Sequence, residues 1–215
     1  PKYDYEKLQS FNRIVAWLHG FRYKNIYDVF QTLAAEITDR PIRVVEIGCA
    51  HAKLYQLLND RFRIDYTGVE INPAFVEEAR RRYGEHKNFR ILAQSAVDVD
   101  MTSSGERSDI VVALETLEHI PEHAVVRIVE NIARQRPRLF VCSVPVEVGP
   151  IIWIKNVGSW LMGYLRHTEY RWHETLWAGL YQLDRLPPHG TGHKGFDWRW
   201  LAQTIRHNLR IVEFR

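Results

Sequence analysis

The feature that most constrains this chain is a six-residue apolar run at 42–47 (IRVVEI) that ends abruptly at Gly48. A run this short, β-branched and without strict polar alternation, suits a strand buried on both faces. Such strands belong to parallel sheets, whose neighbours are reached through helical crossovers. The following sequence keeps that rhythm. A helix with Leu54, Leu57 and Leu58 on one face leads to a second strand at 65–71 (DYTGVEI). Asn72-Pro73 opens another helix, with Pro73 in its first turn and Phe75, Val76 and Ala79 turned inward. A third strand is expected at 89–93 and a fourth at 109–114. Pro121 opens a helix carrying Val125, Ile128 and Ile132 at helical spacing, and a fifth strand follows at 139–146. The pattern predicts an α/β fold: a Rossmann-like open sheet, mostly parallel, with helices on both faces.

In open parallel sheets, ligands bind beyond the C-terminal strand ends, at the point where the strand order reverses. The first strand here runs into Glu46-Ile47-Gly48-Cys49-Ala50-His51-Ala52. Small residues at alternate positions let the backbone turn sharply and approach a ligand. Glu70 closes the second strand, where an acid can take both hydroxyls of a ribose. The turn lacks the three glycines of a pyrophosphate-binding loop, so a nucleoside without phosphate fits better than NAD.

These segments, VVEIGCAHAKL, YTGVEINPAFVEEAR, DIVVALETLEHIPEH and RLFVCSVPV, taken in order, resemble the class I S-adenosylmethionine-dependent methyltransferases. The likeness covers roughly residues 40–147, plus a closing helix and strand. It implies that Glu46 orients the turn or the methionine amino group, and that Gly48, Cys49 and Ala50 pass close to the cofactor. It implies further that Glu70 binds the ribose, that Ile71 packs on adenine, that Ser95 and Ala96 lie near the adenine amine, and that Glu115 lies near the methionine moiety. The chain departs from the family in Ala50 and Ala52, which replace glycines, in His51 within the turn, and in Ser95 in place of an acid. Asp98 is a second candidate near adenine.

Glu115, Glu118 and His119 form E-x-x-E-H at the junction of strand and helix. Carboxylates with an imidazole suit a hard or borderline divalent cation such as Mg²⁺ or Mn²⁺. The segment resembles that of ubiquinone-biosynthesis O-methyltransferases and of small-RNA terminal 2′-O-methyltransferases. The latter resemblance implies a further histidine, with His193 the first candidate and His189 the second. A cation there would lower the pKa of a bound hydroxyl. Without one, His119 is the expected general base, with Glu118 beside it.

Residues 151–182 hold Trp153, Trp160, Tyr164, Tyr170, Trp172, Trp177 and Tyr181. Trp153, Val157, Trp160, Leu161 and Tyr164 share one helical face. That face can pack against the sheet edge, cover an apolar acceptor, or meet a membrane surface or a second copy of the chain. Arg166, His167, Arg171 and His173 read as a solvated basic face.

The 215 residues suit a single domain. It comprises a helical cover at 1–40, a cofactor core at 41–147, an insert or lid at 148–197, and a closing helix and strand at 198–215. The net charge of +3 is spread along the chain and gives no dedicated nucleic-acid stripe. Cys49 and Cys142 stand apart, with neither disulfide framework nor zinc spacing, as in a reduced cytoplasmic setting. No apolar run is long enough to span a bilayer. The leading expectation is methyl transfer from S-adenosylmethionine to an oxygen of a small-molecule acceptor. The alternatives are metal-dependent RNA 3′-terminal 2′-O-methylation, and a non-catalytic, cofactor-binding partner of another enzyme.

Overall fold

A computed structural model describes residues 13–97, 99–103, 106–161, 170–190 and 193–213. A helix, α1 (Arg13–Glu36), leads into β1 (Ile42–Ile47). There follow α2 (Lys53–Asn59), β2 (Ile64–Glu70), α3 (Pro73–Tyr83) and β3 (Phe89–Ala93). A small antiparallel pair, β4 (Thr102–Ser103) and β5 (Glu106–Arg107), precedes β6 (Ile110–Leu114). Then come α4 (Glu122–Gln135), β7 (Leu139–Ser143), α5 (Ile151–Leu161), α6 (Trp172–Gly179) and α7 (Trp198–Asn208).

The main sheet has the order β3-β2-β1-β6-β7, and its neighbouring strands run parallel throughout. The chain builds outward from β1 to β3, then returns to place β6 on the other side of β1. The order therefore reverses between β1 and β6, and the crevice at their C-terminal ends is where a ligand is received.

Alternation along the strands sorts side chains into two cores. Ile42 and Val44 of β1 and Ile110 and Val112 of β6 face one layer, with Phe30 and Leu33 of α1, Leu54 of α2 and Val76 of α3. Val45, Ile47, Val111 and Ala113 face the other, with Val125, Ile128 and Ile132 of α4 and Leu201 of α7. Each such side chain, fully buried, contributes about 1.5–3 kcal/mol. Asn72 caps α3 by accepting the Ala74 N–H at 3.0 Å, and Pro73 supplies its first turn.

Several expectations are corrected. On α2 the buried set is Leu54, Tyr55 and Leu58, while Leu57 is exposed. Tyr55 turns inward because Tyr66, Tyr83 and Phe89 surround its ring. The fifth strand stops at Ser143, and β4–β5 was not anticipated, being too short for a periodic signal. Residues 209–213 form no strand: the chain leaves α7 without pairing to the sheet. Among the described residues, the insert packs largely on itself. Ile152, Tyr170, Ala178 and Leu186 make a satellite cluster apart from both cores. Of the face expected to be buried, Val157 is 56% exposed, while the Trp153 indole does meet α6, donating to the Thr175 carbonyl at 3.1 Å, and Asn156 bonds the Thr175 hydroxyl beside it. Tyr164, Arg166, His167 and Asp98 lie outside the described residues, as do the side chain of Trp160 and much of the proposed helical cover.

Candidate active site

Two sharp turns meet at the strand-order reversal. After β1, Gly48, Ala50 and Ala52 adopt φ of 67°, 44° and 56°. After β6, Glu115 adopts φ of 49°. Left-handed backbone at a residue with a side chain costs about 1–2 kcal/mol, and such conformations persist where surrounding contacts impose them. Here the contacts are explicit. Gly48 N–H donates to the Val69 carbonyl at 2.8 Å, and Glu115 N–H to the Ser143 carbonyl at 2.9 Å. The Thr116 hydroxyl, within reach of the carbonyls of Leu114 and Ile47, sits over Gly48. A Cβ on Gly48 would stand 2.6 Å from Thr116 Oγ1, so glycine is required by both space and φ.

Glu70 ties the β1 turn to the next crossover. Its Oε2 accepts the Ala50 N–H at 2.9 Å and its Oε1 the Asn72 N–H at 2.8 Å. The carboxylate is thus fixed at the end of β2 with lone pairs left over. Ile71, 74% exposed, follows it, and Ser95 and Ala96 lie just beyond β3. Ser95 Oγ accepts the Val97 N–H at 3.3 Å, so its hydroxyl shapes the local turn.

A cavity of about 240 Å³ opens beside the β1 turn, lined by Glu46, Gly48, Cys49, Ala50, Leu114 and Glu115 together with His51, Lys53, Gln56 and Arg82. The turn residues and the two acids expected around the methionine end are therefore gathered, while Ile71, Ser95 and Ala96 lie outside this cavity. Lys53, Gln56 and Arg82 were not anticipated, because on a helix surface they carry no motif. Glu46 accepts a hydrogen bond from the buried Tyr66 hydroxyl. Burial pushes its carboxyl up to about 8, the Tyr66 bond opposing and the Glu70 charge adding to the rise. Tyr66 is invisible as a partner in the sequence because strand register, not spacing, sets it across from β1. Burial likewise raises the thiols of Cys49 and, up to about 12, Cys142, so neither is a ready nucleophile.

The second group stands on the short 3₁₀ turn Leu117–His119. Glu118 is fully buried, and its Oε1 lies 4.0 Å from His119 Nε2 and 3.8 Å from His193 Nδ1. The two imidazoles meet edge to face, with centroids 4.8 Å apart. Donor atoms of Glu118, His119 and His193 all fall within 4.8 Å of one another. Ligand distances of about 2.0–2.5 Å would place donors within roughly 4–5 Å of each other, so this set fits one divalent cation with little adjustment. His119 is half exposed, so the group is reached from solvent. Burial lowers the His119 pKa and the neighbouring His193 lowers it further, while Glu115 opposes. Its imidazole is therefore held neutral, as a proton acceptor requires.

Two of the expected ligands take other positions. Glu115 is absent from the converging set: it lines the cavity and accepts the Ser143 hydroxyl at 3.1 Å. His189 Nε2–H donates to the main-chain carbonyl of Glu118 at 3.1 Å, which makes it a brace for the turn.

This sheet order, with parallel strands and helical crossovers, is that of a Rossmann-like methyltransferase fold. Residues 44–135 match the family model described as a methyltransferase domain. Among solved structures the chain resembles the methyltransferase domain of bacterial CtHen1, at 21% identity over 59% of this chain and 66% of that one, with a TM-score of 0.50. It is also similar to the StiE O-MT, at 20% identity over 46% of this chain and 34% of that one, with a TM-score of 0.38. The sugar N-methyltransferase KedS8 from Streptoalloteichus is similar at 20% identity over 57% of this chain and 48% of that one, with a TM-score of 0.43. The chain thus spans about a third of the length of the StiE structure. No curated protein matches the chain. Among the described residues, no helix is long and apolar enough to cross a membrane.

Proposed function

We propose that the chain transfers the methyl group of S-adenosylmethionine to a hydroxyl oxygen of a small-molecule acceptor, with His119 at the reacting hydroxyl. The observation that carries this reading is the convergence of Glu118, His119 and His193 on the turn after β6, next to the cofactor cavity. Cofactor and acceptor would then approach from opposite sides of one strained junction. Glu46 and Glu115 face the methionine end, Gly48 to Ala50 pass beneath it, and Glu70 takes the ribose at the end of β2. Ile71, Ser95 and Ala96 form the open edge at which adenine is received.

The reaction is an in-line displacement at a sulfonium, so the protein's share is alignment, exclusion of water and removal of one proton. The neutral imidazole of His119 accepts the hydroxyl proton as the oxygen attacks. Glu118, buried beneath it, stabilises the imidazolium that forms. In the alternative to that proton transfer, Glu118, His119 and His193 would hold Mg²⁺ or Mn²⁺, which would itself acidify the acceptor hydroxyl. That donor set also favours a second reading, methylation of an RNA terminal 2′-hydroxyl.

His119→Ala and Glu118→Gln should each lower methyl transfer about 10²-fold while leaving S-adenosylhomocysteine affinity within about two-fold. The measurements are a methyl-release assay on acceptor libraries and titration calorimetry. Loss of turnover in EDTA, restored by Mn²⁺, supports the cation; full turnover in EDTA removes it. Retained activity in both variants would overturn the assignment of the acceptor end.

A further inference from the structure

His193 is carried by a loop without regular secondary structure, yet its imidazole is placed against both Glu118 and His119. The loop is anchored at its flanks by the His189 bond to the Glu118 carbonyl and by Phe196, which is buried in the second core. Those anchors alone leave several residues of slack around His193. Two further contacts remove it, and both begin immediately after His193.

Lys194 Nζ donates to Glu174 Oε2 at 2.7 Å. Gly195 N–H donates to the Tyr170 hydroxyl at 2.6 Å, and that hydroxyl donates onward to the Glu147 carbonyl at 3.1 Å. Both lead to the start of α6 in the insert. Glu174 Oε2 also accepts the Arg171 N–H at 2.7 Å, closing the first turn of the helix. The Lys194 ammonium lies 5.7 Å from the centre of the Tyr170 ring, within cation–π range. Glu174 and Tyr170 are buried and the Lys194 side chain is 34% exposed, so the ion pair is partly screened while the Gly195–Tyr170 bond is sheltered. Gly195 has φ of 76°, the left-handed conformation its backbone adopts where its N–H meets Tyr170.

Capping α6 needs only the bond to Arg171. It does not explain why the same carboxylate oxygen also receives a lysine from a loop twenty residues on, adjacent to His193. We propose that Glu174 and Tyr170 are positioning residues for His193: they clamp the backbone of residues 194–195 to the insert and so present the imidazole to Glu118 and His119. The functional weight of this clamp rests on the reading of that cluster as the acceptor end, but its geometry can be tested without any acceptor.

The test is carbethoxylation of histidines by diethyl pyrocarbonate in the full chain without added metal, mapped by mass spectrometry, beside Mn²⁺ titration followed by electron paramagnetic resonance. Glu174→Ala and Tyr170→Phe should each accelerate labelling of His193 about five-fold, the loss of one good hydrogen bond. Labelling of the exposed His86, between α3 and β3, should not change. Glu174→Gln, which keeps an acceptor for Lys194, should fall between Glu174→Ala and the unaltered chain. Mn²⁺ should bind about five-fold more weakly to the Ala and Phe variants. Should Glu174→Ala fail to fold, Tyr170→Phe, which removes only a hydroxyl, carries the test. His193 labelling at the unaltered rate in a folded Tyr170→Phe chain would overturn the proposal. Accelerated His193 labelling in a chain that binds no Mn²⁺ would support the clamp and overturn the cation.

Discussion

The two ends of the proposed site, one for cofactor and one for acceptor, are built by different means. At the cofactor end the groups that define the shape are main chain: three left-handed turn residues, and amides handed to Glu70 and Val69. At the acceptor end they are side chains drawn from two distant segments, Glu118 and His119 from one and His193 from the other, steadied by contacts to the insert. A backbone-built surface suits a ligand that never changes, because its geometry is inherited from the sheet. A side-chain-built surface on an attached insert can be altered without disturbing the sheet. Under the proposed function, the cofactor grip would belong to the fold and the acceptor grip to this chain.

Three changes break or sharpen that contrast. The largest effect is expected from Gly48→Ala, which forces a Cβ against Thr116 at positive φ. It should destabilise the protein by about 2–4 kcal/mol and abolish measurable S-adenosylhomocysteine binding. Denaturant melts and calorimetry give both numbers, and normal binding would show that the turn tolerates what the geometry forbids.

An intermediate effect is expected from Glu46→Gln, seen as pH dependence. Burial holds the Glu46 carboxyl near about 8 in the folded chain, above the ordinary carboxylate value of 4.5. A raised folded-state value gives a stability contribution that is complete below the unfolded pKa and lost as pH rises through the folded one. Without ligand, this contribution should therefore decline between about pH 5 and 8. Glu46→Gln should flatten that decline, and melting curves across pH test it. A cationic ammonium beside Glu46 draws the value down, so cofactor binding near pH 7 should release protons. Calorimetry in buffers of different ionisation enthalpy reads that release, and Glu46→Gln should remove it.

The smallest effect is expected in the insert. Trp172 is 81% exposed on α6, and Trp172→Ser should shift stability by less than about 0.5 kcal/mol. A larger loss in thermal melts would mean that the insert is tied to the core more tightly than its separate cluster indicates.

The same contrast explains what the sequence made legible. The third strand falls on 89–93 as expected, and Val125, Ile128 and Ile132 are all fully buried, because periodic burial leaves a periodic trace. The β1 turn was legible because left-handed backbone restricts residue type locally, and Gly48, Ala50 and Ala52 stand there. Tyr66, which bonds Glu46, was not, since its role depends on which residue lies across the sheet. Convergence of His193 on Glu118 was suggested only by resemblance: 75 residues separate them, and no local pattern records where a loop returns. Glu174 and Lys194 were hidden for the same reason, each an ordinary charge until the insert is folded. Over its described part, 209–213, the strand expected at the end of the chain does not form although β7 offers an edge, and Val212 there is 68% exposed.

The doubly anchored carboxylate of Glu70 has a further meaning for recognition. A free glutamate samples many orientations and carries a mobile water shell; one held by Ala50 and Asn72 has surrendered both before any sugar arrives. If Glu70 takes a ribose as proposed, little ordering is left for the encounter itself, and discrimination falls on whether two neighbouring hydroxyls match two oxygens already in place. Shortening the arm by one methylene, as aspartate would, leaves it able to span only one of those amides, and the selective rigidity would go even though the charge remained.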